Sequence, residues 1–155
     1  MTASSQSYPE EVADITPYTA VRTQASFHMA TNCIYSRVIS KPLSTAKELI
    51  VMDNTNIGDW LSKLPHFFAE HSFIPTKYSL AHAVMMWRYR NLRIIMYRPF
   101  VIRKAIYARD GRLEESSESE QAYERCLHEA KCSITSISEF CAGNELTRVA
   151  AWYSL

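Results

Sequence analysis

The sequence predicts an all-α, bundle-like domain built round a long buried central helix, and three observations carry that reading. Only three glycines occur in 155 residues, Gly58, Gly111 and Gly143. They are too few for the turns of a β-sandwich or for a glycine loop that cradles phosphate. Leu80 to Arg109 contains no glycine and a single proline. At 100° per residue its apolar side chains point in every direction, the pattern of a helix enclosed by others. The flanking segments carry capping residues followed by apolar positions at helical spacing. With 47% hydrophobic and 21% charged residues, the chain has the composition of one folded domain.

Residues 1–15 are polar and read as a flexible leader or linker, with the domain spanning 16–155. Thr16-Pro17 opens the first helix, proline suiting the first helical position. Tyr18, Val21, Ala25, His28, Met29, Asn32, Cys33, Tyr35 and Ile39 fall on one side of it, while Phe27, Ile34 and Val38 fall on the other. A helix apolar on two sides is either sandwiched or awaits a partner. Lys41-Pro42 ends it, and Thr45-x-x-Glu48 forms a capping box for a short helix from Ala46 to about Val51. Asn56, with Asp59 three residues on, reads as the cap of a further helix through Trp60 and Leu61 to Leu64-Pro65. An apolar connector, His66 to Lys77, leads to Ser79, the expected cap of the central helix.

Within the central helix, Trp87, Tyr89, Leu92, Ile95 and Phe100 are the expected core. Pro99 predicts a kink or break near Ile95–Arg98, because it lacks an N–H and crowds the carbonyl four residues back. Gly111 is the expected stop. After the acidic, serine-bearing loop Gly111 to Glu120, Ser117-x-x-Glu120 reads as a second capping box. The helix that follows aligns Ala122, Cys126, Leu127, Ala130, Ile134, Ile137, Phe140 and Cys141 in one stripe. A last apolar helix, Leu146 to Leu155, has no stop signal. It suggests a piece of a longer helical domain, with Trp152, Tyr153 and Leu155 left to contact further helices or to self-associate.

Charge and motif exclude several classes of function. Net charge is +1, from 17 Lys and Arg against 16 Asp and Glu, unlike a uniformly basic nucleic-acid coat. The seven bases between Leu80 and Asp110 scatter round the helix and do not align on one groove-facing side. Arg90, Arg93 and Arg98 are therefore expected to pair internally with acids, since an unpaired buried charge is costly. The four cysteines form no Cys-x-x-Cys and read as buried reduced thiols. The five histidines make no zinc-hydrolase pattern, and His28 and His82 read as hydrogen-bonded core residues. No nucleophile elbow occurs, and no Cys/His pair has neighbours that mark a nucleophile. Glu48, Asp53, Asp59 and Glu70 read as caps and solvated positions, so no enzyme is expected. No run of about 18 apolar residues is present for a membrane span.

The stretch LAHAVMMWRYRNLRIIMYRPFVIR, Leu80 to Arg103, resembles the middle homology region of fungal binuclear zinc-cluster transcription factors, especially the galactose-regulator type. Gln24 to Arg37, Cys126 to Ile137 and Thr147 to Leu155 agree in order and spacing. The resemblance covers about residues 16–155 and implies part of an all-helical regulatory domain in a nuclear protein. In that family DNA is read by an N-terminal cluster of six closely spaced cysteines that holds zinc, followed by a dimerising coiled coil. This chain has neither, so zinc and DNA contacts belong to other parts of such a protein and no cofactor is expected here. The implied partners are regulatory or co-regulator proteins. The alternative is a small-metabolite sensor, with a pocket between the first and central helices in which Arg or His orients an anionic effector.

Overall fold

The computed structural model describes residues 16–65, 68–69, 74–111 and 116–143, and every regular element among them is helical. The expected last helix, the leader at 1–15, and His66, Glu70 and His71 lie outside the described residues.

Helix α1, Pro17–Ile39, is capped at Thr16, whose backbone N–H donates to Thr19 Oγ1 at 3.1 Å. Near its other end Arg37 ties the chain down. Nη1 donates to Ser40 Oγ at 2.7 Å and to the Pro42 carbonyl at 2.9 Å, and Nη2 to Glu48 Oε2 at 2.7 Å. Helix α2, Ala46–Met52, starts with the Glu48 N–H donating to Thr45 Oγ1. Only half of the capping box forms, because the Glu48 carboxylate is engaged by Arg37.

Past Met52 the helix does not stop. It widens into a single π-helical turn, Asp53–Ile57, and continues as α3, Gly58–Ser62. Asn56 is therefore inside a helix rather than at its cap, and its Nδ2 donates to Cys33 Sγ at 3.3 Å. A 3₁₀ turn, Thr76–Tyr78, leads into α4, Ser79–Arg109, and Gly111, at φ 67°, follows its end as expected of a stop. Ser79 is the first helical residue, not the cap, and donates back to the Thr76 carbonyl at 2.8 Å. Helix α5, Ser117–Gly143, is capped one residue earlier than expected, the Ser119 N–H donating to Ser116 Oγ. Glu120 pairs instead with Lys104 across the α4–α5 interface.

The main core lies where α1, α2, the π turn and α5 close on α4. Phe27 and Ile34 enter from α1, Leu49 from α2, Ile57 and Trp60 from the π turn and α3, and Ala122 and Cys126 from α5. They meet Tyr89, Leu92, Met96, Tyr97 and Phe100 of α4. A smaller cluster joins Ala83, Val84 and Trp87 to Ile137 and Phe140. There Trp87 stands edge-on to Phe140 and donates through Nε1 to Ser136 Oγ at 3.1 Å. Trp87, Tyr89, Leu92 and Phe100 are thus all buried.

Ile95 is not, being 37% exposed, and the reason lies in Pro99. Helix α4 runs unbroken through that proline. The carbonyl that Pro99 leaves without its usual donor is that of Ile95, one turn back on the same side. That side faces outward: Ile95, Arg98, Pro99, Ile102 and Ile106 all share the exposed stripe. Arg98 consequently makes no ion pair among the described residues, against the expectation of internal pairing. In α5, Ile134 likewise faces outward although it belongs to the apolar stripe.

Helix α1 shows the larger reversal. The side with fewer apolar residues, Phe27 and Ile34, is the one in the core, and the richer side faces solvent. Tyr18, Met29 and Ile39 are 83, 82 and 82% exposed. His28 is exposed as well, whereas His82 is half-buried with a ring nitrogen 3.3 Å from the Ala69 carbonyl. Of the four free cysteines only Cys126 is buried.

Candidate functional site

The π turn determines the most polar place in the interior. One extra residue per turn re-aims the side chain that opens it, and here that residue is Asp53, which is 0% exposed. Its carboxylate accepts from Arg93 Nε at 2.8 Å on Oδ1. On Oδ2 it accepts from Tyr97 Oη at 2.8 Å and Arg125 Nη1 at 2.9 Å. Arg93 Nη1 donates to Glu129 Oε1 at 2.8 Å, and its guanidinium lies 5.2 Å from the Tyr89 ring centroid. Arg125 Nη1 also reaches Asn54 Oδ1 at 3.1 Å. Two carboxylates and two guanidiniums from α4, α5 and the π turn thus neutralise each other, the condition on which buried charges are tolerated.

The titration behaviour follows from this packing. Burial pulls the Arg93 guanidinium down, but Asp53 and Glu129 outweigh it, so Arg93 ends above its ordinary value. Burial, and then the Asp53 carboxylate, push the Tyr97 phenol well up. Burial and Glu129 do the same to Tyr89. Both phenols stay protonated at neutral pH, and Tyr97 donates its proton to Asp53.

The network forms one wall of a cavity of about 480 Å³. The remaining wall brings Asn54, Tyr89, Arg90, Glu124, His128 and Cys132 to the same space. Arg90 is buried there. His128 and Cys132, one turn apart on α5, approach to 3.6 Å between Nε2 and Sγ. A second cleft of about 430 Å³ lies between α1 and α3, lined by Trp60, Ser26, Arg22, Asp59, Lys63 and Leu64 among others. Trp60 Nε1 donates to Ser26 Oγ at 3.1 Å on its floor. Neither space lies between α1 and α4, where the sequence places an effector pocket.

Of the three arginines singled out from sequence, Arg93 joins this network, Arg90 lines its cavity and Arg98 is on the outer face of α4. Sequence reasoning missed Asp53 and Glu129. Asp53 reads as a solvated acid because nothing local marks the π turn that turns it inward. The available signal for Glu129 is its position: it follows Cys126 by three residues and precedes Ala130 by one, next to the apolar stripe and opposite a helix rich in arginine. Among the described residues, no group of three or more His, Cys, Asp or Glu side chains is arranged to hold a metal ion. No helix among them is long and apolar enough to cross a membrane. Comparison with known proteins returned no matching family, no matching characterised sequence and no matching solved structure.

Proposed function

We propose that this chain is a regulatory segment of a nuclear transcription factor of the fungal zinc-cluster kind. It controls transcription through contacts with co-regulator proteins and does not itself touch DNA or catalyse a reaction. The resemblance of Leu80 to Arg103 and its companion segments supplies the class, and one observation supports the mode of action. Tyr18, Val21, Met29 and Ile39 project into solvent along the 23 residues of α1, opposite the side that packs on the core. Spaced at about whole turns, they match the anchors with which one amphipathic helix receives another. The occupant of this face is an amphipathic helix of a partner protein. The test is transcription from a reporter promoter to which the chain is tethered by an unrelated DNA-binding domain. Output should change when the chain is present, and an inert chain would refute the reading.

The second reading, a small-molecule sensor, is favoured by the polar cavity, whose size suits a metabolite. Its test is a thermal-shift scan of the chain against sugars and their phosphates. A concentration-dependent rise in midpoint with one compound would support it.

A further inference from the structure

Cys132 differs in its surroundings from Cys126 and Cys33. Cys126 is buried, with its thiol 3.7 Å from the Ile94 carbonyl. Cys33 is exposed and receives a hydrogen bond from Asn56 Nδ2. Cys132 is partly exposed on the cavity wall, with an imidazole nitrogen 3.6 Å from its sulfur. When that nitrogen is unprotonated the thiol donates to it, which places a proton acceptor where a nucleophilic sulfur needs one.

The charged surroundings permit the sulfur to react. From the π turn comes Asp53, and from α5 come Glu129 and Arg125; from α4 come Arg90 and Arg93. The two buried carboxylates are held by Arg93 and Arg125, so the negative charge nearest the cavity floor is already compensated. Glu124, one turn before His128 on α5, lines the same cavity at its exposed rim, where solvent screens its charge. Tyr89 lines the same space.

We propose that Cys132, with His128 as its proton acceptor, is a site of covalent modification by α,β-unsaturated carbonyl compounds that enter the polar cavity. Sγ bonds to the β-carbon as its proton passes to His128 Nε2. The π pair of the C=C bond moves onto the α-carbon and carbonyl oxygen as an enolate. His128 then returns the proton to the α-carbon. One C–S and one C–H bond form, one S–H and one C=C π bond break, and neither oxidant nor reductant is required. The site stands independently of the transcriptional reading.

The probe is N-ethylmaleimide, itself an α,β-unsaturated carbonyl, added in limiting amount to the folded 155-residue chain, with each cysteine followed by peptide mass mapping. Cys132 should label before Cys33, although Cys33 is the more exposed. His128→Gln should slow Cys132 by about tenfold, below the ~10²-fold that a fully preorganised base contributes, and leave the Cys33 rate unchanged. His128 is exposed, so its replacement leaves the core intact, and the Cys33 rate reports that directly. Labelling of Cys132 no faster than Cys33, or a Cys132 rate indifferent to His128→Gln, would overturn the proposal.

Discussion

At Asp53 three donors from two different helices converge on one carboxylate that has no contact with solvent. Removing it strips Arg125 of its buried carboxylate and leaves Arg93 to Glu129, and unbalancing buried charge is far more costly than the pair itself is favourable. Asp53→Ala should lower unfolding free energy by about 3–5 kcal/mol, read from urea denaturation. A loss under about 1 kcal/mol would mean that the network is wetter than its geometry implies. His82 makes a separate prediction about pH. Burial lowers its imidazole from the ordinary value of 6.5, partly opposed by the Ala69 and Phe68 carbonyls. Below 6.5 the unfolded chain therefore gains a proton that the folded chain resists, so this residue's penalty opens as pH falls and is complete below the folded-state value. Midpoints measured between pH 7 and pH 5 should fall less steeply in His82→Gln than in the parent chain, and identical slopes would remove His82 from the account.

Along whole elements, the decisive variable is which side of a helix meets a neighbour. Leu92 and Ile95 sit in the same helix three residues apart, yet one is fully buried and the other is on the stripe opened by Pro99. Leu92→Ala should cost about 2–5 kcal/mol, whereas Ile95→Ala should cost under about 1 kcal/mol. Equal losses in chemical denaturation would show that Ile95 belongs to the core after all. Helical periodicity in the sequence locates the start of α1 at Pro17, the Thr45 cap and the stop at Gly111, because caps, proline and glycine act locally. It also identifies the two apolar sides of α1, but angle alone says nothing about depth. Phe27 and Ile34 are inside because they meet Trp60 and the α4 core, a fact of tertiary contact. The π turn was illegible for a similar reason. Asn56 and Asp59 carry the chemistry of a helix cap, and the continuous packing of Ile57 and Trp60 into the core overrode it.

At the scale of the molecule, α4 organises everything else. Its first half is enclosed by both hydrophobic clusters, and its second half turns one side to solvent. The polar cavity sits where α4, α5 and the π turn meet, while the exposed apolar side of α1 lies on a different element. Binding of a protein partner and chemistry at the cavity can therefore be separated by substitution. The ion network was half-legible: an arginine-rich apolar helix demands internal acids, and Arg93 meets that demand, but the identity of its partners depended on the fold. For the proposed function the sharpest question is whether α1's outer side carries the regulatory effect. The measurement is reporter transcription driven by the tethered chain, compared with the same chain carrying Val21→Glu and Met29→Glu, with thermal midpoints recorded for both. Both positions are exposed, so the midpoint should stay nearly unchanged while the transcriptional effect is lost. An effect that survives the double substitution in a chain of unchanged stability would contradict the assignment of α1 as the contact surface.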